Sequence, residues 1–391
     1  MYKVRTFNQI ALRGLERFPR DGFEVGSEIA DPHAILLRSH VLTAEHVTPN
    51  LRAVARAGAG TNNVPVDLYT ERGIVVFNTP GANANSVKEL VLAALLLSAR
   101  DVLGGLRYVE SMCDVADPVE LNKRVEADKK KFQGTEIYGK TLGVVGLGAI
   151  GALVAEAALR LGMRVVGYDP AISVDAAWRL PSDVQKMENL ATLFARSDYV
   201  TLHVPLLDDT RNMVNDESLK MFRAGAVLLN FARQEIVDER ALARALQAGK
   251  VARYFCDFPS PTLARLSNVV ATPHLGASTA EAEENCAVMA ADQLIDFLRH
   301  GNVRNSVNFP TVSLERTEGV RLAVTNRNVP KMLGQILSVL ANKNINVIDM
   351  INKSRADVAY NLIDVAAPVT PDLLAEIGRI PSVMNVRVFD Q

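Results

Sequence analysis

The sequence predicts an α/β protein. A smaller α/β unit comes first, a doubly wound parallel sheet with helices on both faces follows it, and a small βαββαβ unit comes last. Three observations carry that expectation. From about residue 140, short apolar runs alternate with stretches of helical period, as in a parallel sheet covered by helices on both faces. A glycine-rich turn, GLGAIG, stands at the first strand-to-helix junction of that series. From about residue 319 the order becomes β, α, β, β, α, β, the pattern of a ferredoxin-like unit. At 391 residues the chain is long for one hydrophobic core, so two or three domains are expected.

Up to about residue 100, AILLRSH, LRAVARAG and GIVVFN read as strands of a small parallel sheet. NSVKELVLAALLLSA closes it as a long helix, with Ser86 and Glu89 as a capping box. Residues from about 101 to 135 are polar and charged without a clear period, and RVEADKKK within them reads as a solvated helix face. The strands LGVVG, RVVGYD, DYVTLHVP, AVLLNFA, ARYFCDF and NVVATP then stand among helices in AIGALVAEAALRLG, MENLATLFARS, NDESLKMF and DERALARALQAG. STAEAEENCAVMAADQLIDFLRHG is one long helix, capped by Ser278 with Glu281 and followed by Gly301. GNVRNSVNFPTVSLERT is a linker. In the tail, VRLAVTN, INVIDMIN, AYNLIDVA and VMNVRVF are strands. PKMLGQILSVLANK and TPDLLAEIGRI are helices, with Pro330 in the first turn of the former.

Composition narrows the function classes. A net charge of −1 gives no field that favours nucleic acid or an anionic membrane. Three cysteines, Cys113, Cys256 and Cys286, are too few and too irregular for a disulfide framework or a zinc site, so no metal is expected. MYKVRTFNQI lacks the apolar core of a signal peptide, and LVLAALLLSA is too short to span a bilayer. A cytoplasmic protein without a membrane partner is expected.

The glycine-rich turn is the sharpest motif. It follows the strand LGVVG, opens a helix, and is answered about 20 residues on by an acid, Asp169, at the end of RVVGYD. Gly146 permits the tight turn, Gly148 the approach of a pyrophosphate, and Gly151 close packing of helix on strand. The helix N-terminus offers free N–H groups to phosphate. Asp169 would bind ribose hydroxyls and repel a 2′-phosphate, so NAD is expected rather than NADP. The competing reading is a tight turn without a ligand. Ligands of open α/β sheets bind at the carboxyl ends of strands, where His203, Arg233, Asp257 and His274 stand. Arginine can hold a carboxylate in a bidentate fork, and histidine can exchange a hydroxyl proton near neutral pH. The pair suits hydride transfer from a hydroxy acid. A surface ion pair remains the alternative for Arg233, and His203 lines the cofactor cleft or caps its strand.

GKTLGVVGLGAIG, Asp169, LLNFARQEIVDERAL and ATPHLGAST together resemble the D-isomer-specific 2-hydroxyacid dehydrogenases, over roughly residues 40 to 310. RAGAGTNNV and NTPGANANSVKEL look like that family's substrate-side loops, and the tail resembles an ACT regulatory domain. The resemblance implies a Rossmann-type NAD domain over 99–277, inserted in a substrate domain over 1–98 and 278–310, with an ACT-like domain over 318–391. It makes Arg233 the group that binds and polarises the substrate, and His274 the general acid/base. NAD would be contacted by Gly146, Gly148, Ala149, Ile150, Gly151, Asp169, His203, Val204, Pro205, Phe231, Ala232, Asp257 and Gly276. Arg56, Gly58, Asn83, Asn85, Ser86 and Val87 would face the substrate, with Arg56 as the cation for a phosphate. Asn328 and Asn346 match positions that bind an amino-acid effector, serine, in some relatives, although Lys331 stands where glycine is usual. Pairing of such tails implies a homo-oligomer.

One departure concerns His274. The family usually carries a DVFxxEP-like run whose glutamate hydrogen-bonds the histidine. Here the run reads CDFPSPTLARL, with Pro261 in the glutamate's place between Ser260 and Thr262. Asp257 or a distant acid could orient His274, His274 could act unassisted, or catalysis could be lost. The activity implied is NAD-dependent oxidation of a small phosphorylated hydroxy acid, 3-phospho-D-glycerate, to 3-phosphohydroxypyruvate, the first step of L-serine biosynthesis. The alternatives are another D-2-hydroxyacid dehydrogenase, such as a glyoxylate/hydroxypyruvate reductase, and a non-catalytic NAD-sensing regulator.

Overall fold

A computed structural model describes residues 1–389. Two compact units emerge, one from residues 1–83 with 280–391, the other from 84–279. In the first, β1 (Tyr2–Thr6), β2 (Phe23–Gly26), β3 (Ala34–Leu37), β4 (Ala53–Arg56) and β5 (Val75–Phe77) form a parallel sheet ordered β2-β1-β3-β4-β5. Its inner strands are buried on both faces, which explains their continuous apolar runs. One face packs on helix Ala280–His300 through Ala287, Ala290, Leu294 and Phe297. The other packs on Leu51, Val64 and Tyr69. β1 and β2 have no counterpart in the sequence reading, because YKVRT and FEVG show neither a buried run nor clean alternation.

The second unit holds β6 (Thr141–Val145), β7 (Arg164–Tyr168), β8 (Gln185–Lys186), β9 (Tyr199–Leu202), β10 (Ala226–Asn230), β11 (Val251–Cys256) and β12 (Val269–Ala271). All pair in parallel, in the order β12-β11-β10-β9-β6-β7-β8. The order reverses between β6 and β9, which is the switch point where doubly wound sheets take their ligands. Helix Ala84–Ala99 belongs here by packing: Val87, Val91, Ala94 and Leu95 share a core with Leu142, Val144 and Val154. The boundary expected at 98/99 therefore moves to 83/84. The stretch without a clear period contains helices Val102–Glu110 and Pro118–Asp128, started by the caps Asp101 and Asp117. Arg124 and Lys131 are exposed there and paired with Glu120 and Asp128.

Neither predicted capping box forms. The first helix begins at Ala84, two residues before Ser86, and the buried Ser86 Oγ donates to Gly276 O at 2.8 Å. The long helix begins at Ala280, and Ser278 Oγ instead lies 3.5 Å from His274 O.

The tail is an antiparallel sheet of β13 (Val320–Arg327), β14 (Val347–Arg355), β15 (Val358–Val365) and β16 (Val383–Phe389), ordered β14-β15-β13-β16. Helices Met332–Asn342 and Pro371–Gly378 share a core with one face through Ile336, Leu340, Leu373 and Ile377. Ala323, Tyr360, Leu362 and Phe389 share the core of Phe77, Phe297 and Phe309 instead, so the tail packs within the first unit. The expected linker is pinned as well. Asn308 Oδ1 accepts from Val76 N at 2.9 Å while its Nδ2 donates to Ile74 O at 2.9 Å. Pro330 lies ahead of its helix, and Lys331 caps the start in the left-handed region at φ +74°. Among the described residues no helix is long and apolar enough to cross a membrane, and no group of side chains could hold a metal ion.

Candidate active site

β6 runs straight into the glycine turn. Gly146 has φ +88°, and a Cβ there would sit 2.6 Å from His203 O. A Cβ on Gly151 would meet Gly146 O at 1.9 Å, so the fold itself demands both glycines. Gly148 differs: a Cβ there meets nothing within 4 Å. It caps helix Ala149–Arg160 without a side-chain hydrogen bond, which leaves the first-turn N–H groups at Ala149 and Ile150 open to an anion. Asp169 lies beside this turn, with Oδ2 accepting from Leu147 N at 2.8 Å and Oδ1 from Ala171 N at 3.0 Å. Each oxygen keeps a lone pair for a hydroxyl.

His203, Val204 and Pro205 follow β9 across the switch point. His203 Nε2 lies 2.9 Å from Thr201 Oγ1, and its Nδ1 is buried without a partner. Burial pushes this imidazole down to about 3, so it stays neutral and cannot serve as the proton-exchanging group near neutral pH. A bare helix terminus, open space at Gly148, a carboxylate one strand over and an orphaned ring nitrogen suit a dinucleotide.

At the end of β10 the fully buried Asn230 shapes the next turn. Its Oδ1 accepts from Ala232 N at 3.1 Å, and its Nδ2 donates to Arg233 O at 2.9 Å. Phe231 is buried by this turn and Arg233 is exposed, with Nη1 donating to Ala232 O at 2.6 Å. His274 follows β12, so β11 lies between the strands that carry the two residues. Asp257 directly follows β11 and is 1% exposed. Asp257 Oδ1 accepts from Thr272 Oγ1 at 2.6 Å and Leu275 N at 2.7 Å, and Oδ2 accepts from Gly276 N at 2.7 Å. Its carbonyl accepts from His274 N at 3.1 Å.

Asp257, expected against NAD, thus spends its carboxylate on the loop that carries His274. It fixes that loop's backbone, including His274 at φ +57°, and does not reach the ring. The exposed ring meets Phe258 edge to face, at 5.3 Å between centroids and 72°. In the run after Asp257, the buried Ser260 donates to Glu239 Oε2 at 2.8 Å, while Pro261 and Thr262 are exposed. Glu239 Oε1 accepts from Gln234 Nε2, also at 2.8 Å. In sequence Glu239 reads only as part of the helix DERALARALQAG, and nothing there joins it to Ser260.

The residues expected to face the substrate fall in two groups. Arg56 ends β4, its Nε donating to Arg38 O at 3.1 Å. A Cβ on Gly58 would lie 2.4 Å from Arg56 Nη1, so glycine there makes room for the guanidinium. Asn83 is half-buried in the same unit. Asn85 is exposed in the second unit and donates to Glu89 Oε1 at 2.9 Å. Ser86 and Val87 are buried against Gly276, Val87 Cγ2 lying 3.5 Å from the position of a Cβ there, and brace the His274 loop. In the tail, Asn328 follows β13 where Arg327 pairs with Val358, and Asn346 precedes β14 where Val347 pairs with Val365. They stand at opposite ends of the sheet, roughly 25 Å apart at 3.3 Å per residue.

Residues 109–276 match a family model described as D-isomer specific 2-hydroxyacid dehydrogenase, NAD binding domain. A D-3-phosphoglycerate dehydrogenase of Haemophilus influenzae is 34% identical, across 94% of this chain and 89% of its own length. The chain belongs to the D-isomer specific 2-hydroxyacid dehydrogenases. NAD is the cofactor of the family's nucleotide domain, and the glycine turn with Asp169 lies inside the matched residues. A second D-3-phosphoglycerate dehydrogenase, from Methanocaldococcus jannaschii, is 33% identical over 84% of this chain. The chain spans about three fifths (61%) of that relative's length. Among solved structures, the NAD+-bound 3-phosphoglycerate dehydrogenase of Entamoeba histolytica is 26% identical with a TM-score of 0.61, covering 78% of this chain and 98% of that one.

Proposed function

We propose that the chain oxidises 3-phospho-D-glycerate at C2 to 3-phosphohydroxypyruvate, the first step of L-serine biosynthesis. One observation carries this most: Arg233 and His274 stand at the carboxyl edge of an NAD-binding sheet, on turns locked by the buried Asn230 and Asp257. Bound NAD supplies the hydride acceptor. The C2 hydrogen leaves with its electron pair, the C2 hydroxyl proton passes to the His274 imidazole, and the carbonyl forms. Arg233 grips the substrate carboxylate and polarises the C2 oxygen. Arg56 takes the phosphate. Residues 1–83 and 280–310 form the substrate side, and the ACT-like tail regulates. Because Asn328 and Asn346 lie at opposite ends of one tail sheet, an effector that touches both requires two chains, which favours a homo-oligomer.

Steady-state assays test the reading. Purified protein should reduce NAD with 3-phosphoglycerate, and His274→Ala should lose about 10²–10⁴-fold in kcat. Undiminished turnover in that variant overturns the role of His274. Arg56→Ala should penalise phosphorylated substrates only. Faster turnover of glyoxylate or hydroxypyruvate than of their phosphorylated counterpart would point to a reductase. NADH binding with no turnover of any of these would point to an NAD-sensing regulator. Serine should lower activity if it is the effector, and a response flat to millimolar serine would remove it.

A further inference from the structure

The backbone at His274 is held by Asp257, but a locked backbone leaves the two ring torsions free. The family pattern assigns that task to a glutamate near Pro261. Here the ring packs on Phe258, edge to face at 5.3 Å and 72°. We propose that Phe258 is the positioning residue for His274, and that the Gln234–Glu239–Ser260 network holds it in place. This chain aims its acid/base group with an aromatic ring where the family pattern would have a carboxylate. The inference rests on the acid/base role of His274.

The loop is built for such a task. Phe258 directly follows Asp257, so the residue that locks the backbone and the residue that touches the ring are neighbours. Phe258 O accepts from Cys256 Sγ at 3.4 Å. Two residues on, Ser260 is 6% exposed and donates to Glu239 Oε2 at 2.8 Å. Leu263, 2% exposed, is part of the core and donates its N–H to Ser260 O at 3.3 Å. Phe258 is therefore strung between anchored points. The other oxygen of Glu239 accepts from Gln234, the residue after Arg233. One carboxylate thus ties the turn that presents Arg233 to the loop that presents Phe258, and so indirectly to His274. Glu239 acts through the hydrogen bonds it accepts, not through its charge on the imidazole.

The test compares kcat, KM and pH profiles of the full-length NAD-loaded enzyme and its variants. Phe258→Leu keeps much of the volume but removes the ring, so kcat should fall about 10–100-fold, as a small misplacement of a reacting group costs. KM for NAD should stay put, and a thermal melt should show the variant folded. Phe258→Tyr should restore most of the loss. In Glu239→Gln the amide can still accept from Gln234 and donate to the rotatable Ser260 hydroxyl. Whatever kcat it keeps, the pH at which kcat halves should not move. Glu239→Ala, which severs the network, should resemble Phe258→Leu. Full kcat in Phe258→Leu beside a dead His274→Ala overturns this inference and leaves the proposed function standing. A shifted pH inflection in Glu239→Gln also overturns it, since Glu239 would then act by charge. If His274→Ala remains fully active, both fall together.

Discussion

Gly148 and Gly151 sit three residues apart in one motif, yet a methyl group would find different surroundings at each. At Gly151 it would strike backbone at 1.9 Å, and backbone cannot rotate away. Gly151→Ala should therefore lose about 1–3 kcal/mol in chemical denaturation, the usual cost of overpacking. At Gly148 it would enter open space, so Gly148→Ala should keep that stability yet weaken NADH binding in a fluorescence titration. Equal losses of stability would contradict the distinction. His203 gives a second test, by pH. Its folded value is depressed to about 3 while the unfolded chain titrates near the ordinary 6.5. Stability is then intact above about 6.5 and declines as pH falls from there toward 3. Between pH 6.5 and 5 this term should cost about 1–2 kcal/mol, discounted for the ring's partial exposure. His203→Asn should flatten that slope in denaturation measured across pH. At this scale the sequence was informative where chemistry is local. The glycine turn, Asp169, Arg233 and His274 are each legible beside a strand end. The Ser260–Glu239 bond and the use of Ser86 on Gly276 were not, because each joins residues far apart in the chain, 190 positions in the latter case.

Elements were legible according to their environment. β9 and β10 are buried along their whole length and read as continuous apolar runs, whereas β8 has two exposed residues and gives no signal. The two capping boxes failed differently: Ser86 Oγ is claimed by Gly276 O across the fold, while Ser278 Oγ lies 3.5 Å from His274 O, four residues back in its own loop. Lys331 shows what propensity reasoning can still extract. The tail helix Met332–Asn342 starts from a residue at φ +74°, where a Cβ crowds the backbone and glycine does not. Lys331 has no side-chain cap hydrogen bond to offset the strain. Lys331→Gly should therefore stabilise the chain by about 1 kcal/mol, visible as a higher denaturant midpoint. A lower midpoint would mean that the lysine stem contributes more than its backbone costs.

At the scale of the molecule, the tail is joined to the rest of the first unit by charge as well as by packing. Arg321 and Asp364 are both 0% exposed, with Nε–Oδ1 at 2.7 Å and Nη2–Oδ2 at 2.8 Å. The same guanidinium donates to the carbonyls of His300, Leu314 and Glu315, so it gathers the segment expected as a linker onto the tail sheet. The sequence could not show this, since VRLAVTN reads as an ordinary strand whichever face Arg321 takes. Burial pushes the Asp364 carboxyl up, but the hydrogen bonds from Arg321 and Thr317 outweigh it and hold it below the ordinary value. Its stabilising contribution is then present above the ordinary carboxylate range and is lost as pH falls through the lowered folded value. Asp364→Ala strands a buried guanidinium and should cost about 3–5 kcal/mol. Replacing both partners with apolar residues is often neutral for a buried pair. Here it should recover only part of the loss, because Arg321→Met with Asp364→Leu leaves three carbonyls without their donor, each worth about 1 kcal/mol. Denaturation of the two variants side by side decides it. A double variant as stable as the parent would reduce Arg321 to a replaceable ion pair. A double variant stranded near the single one would make the carbonyl contacts the main link between the tail and the rest of the first unit.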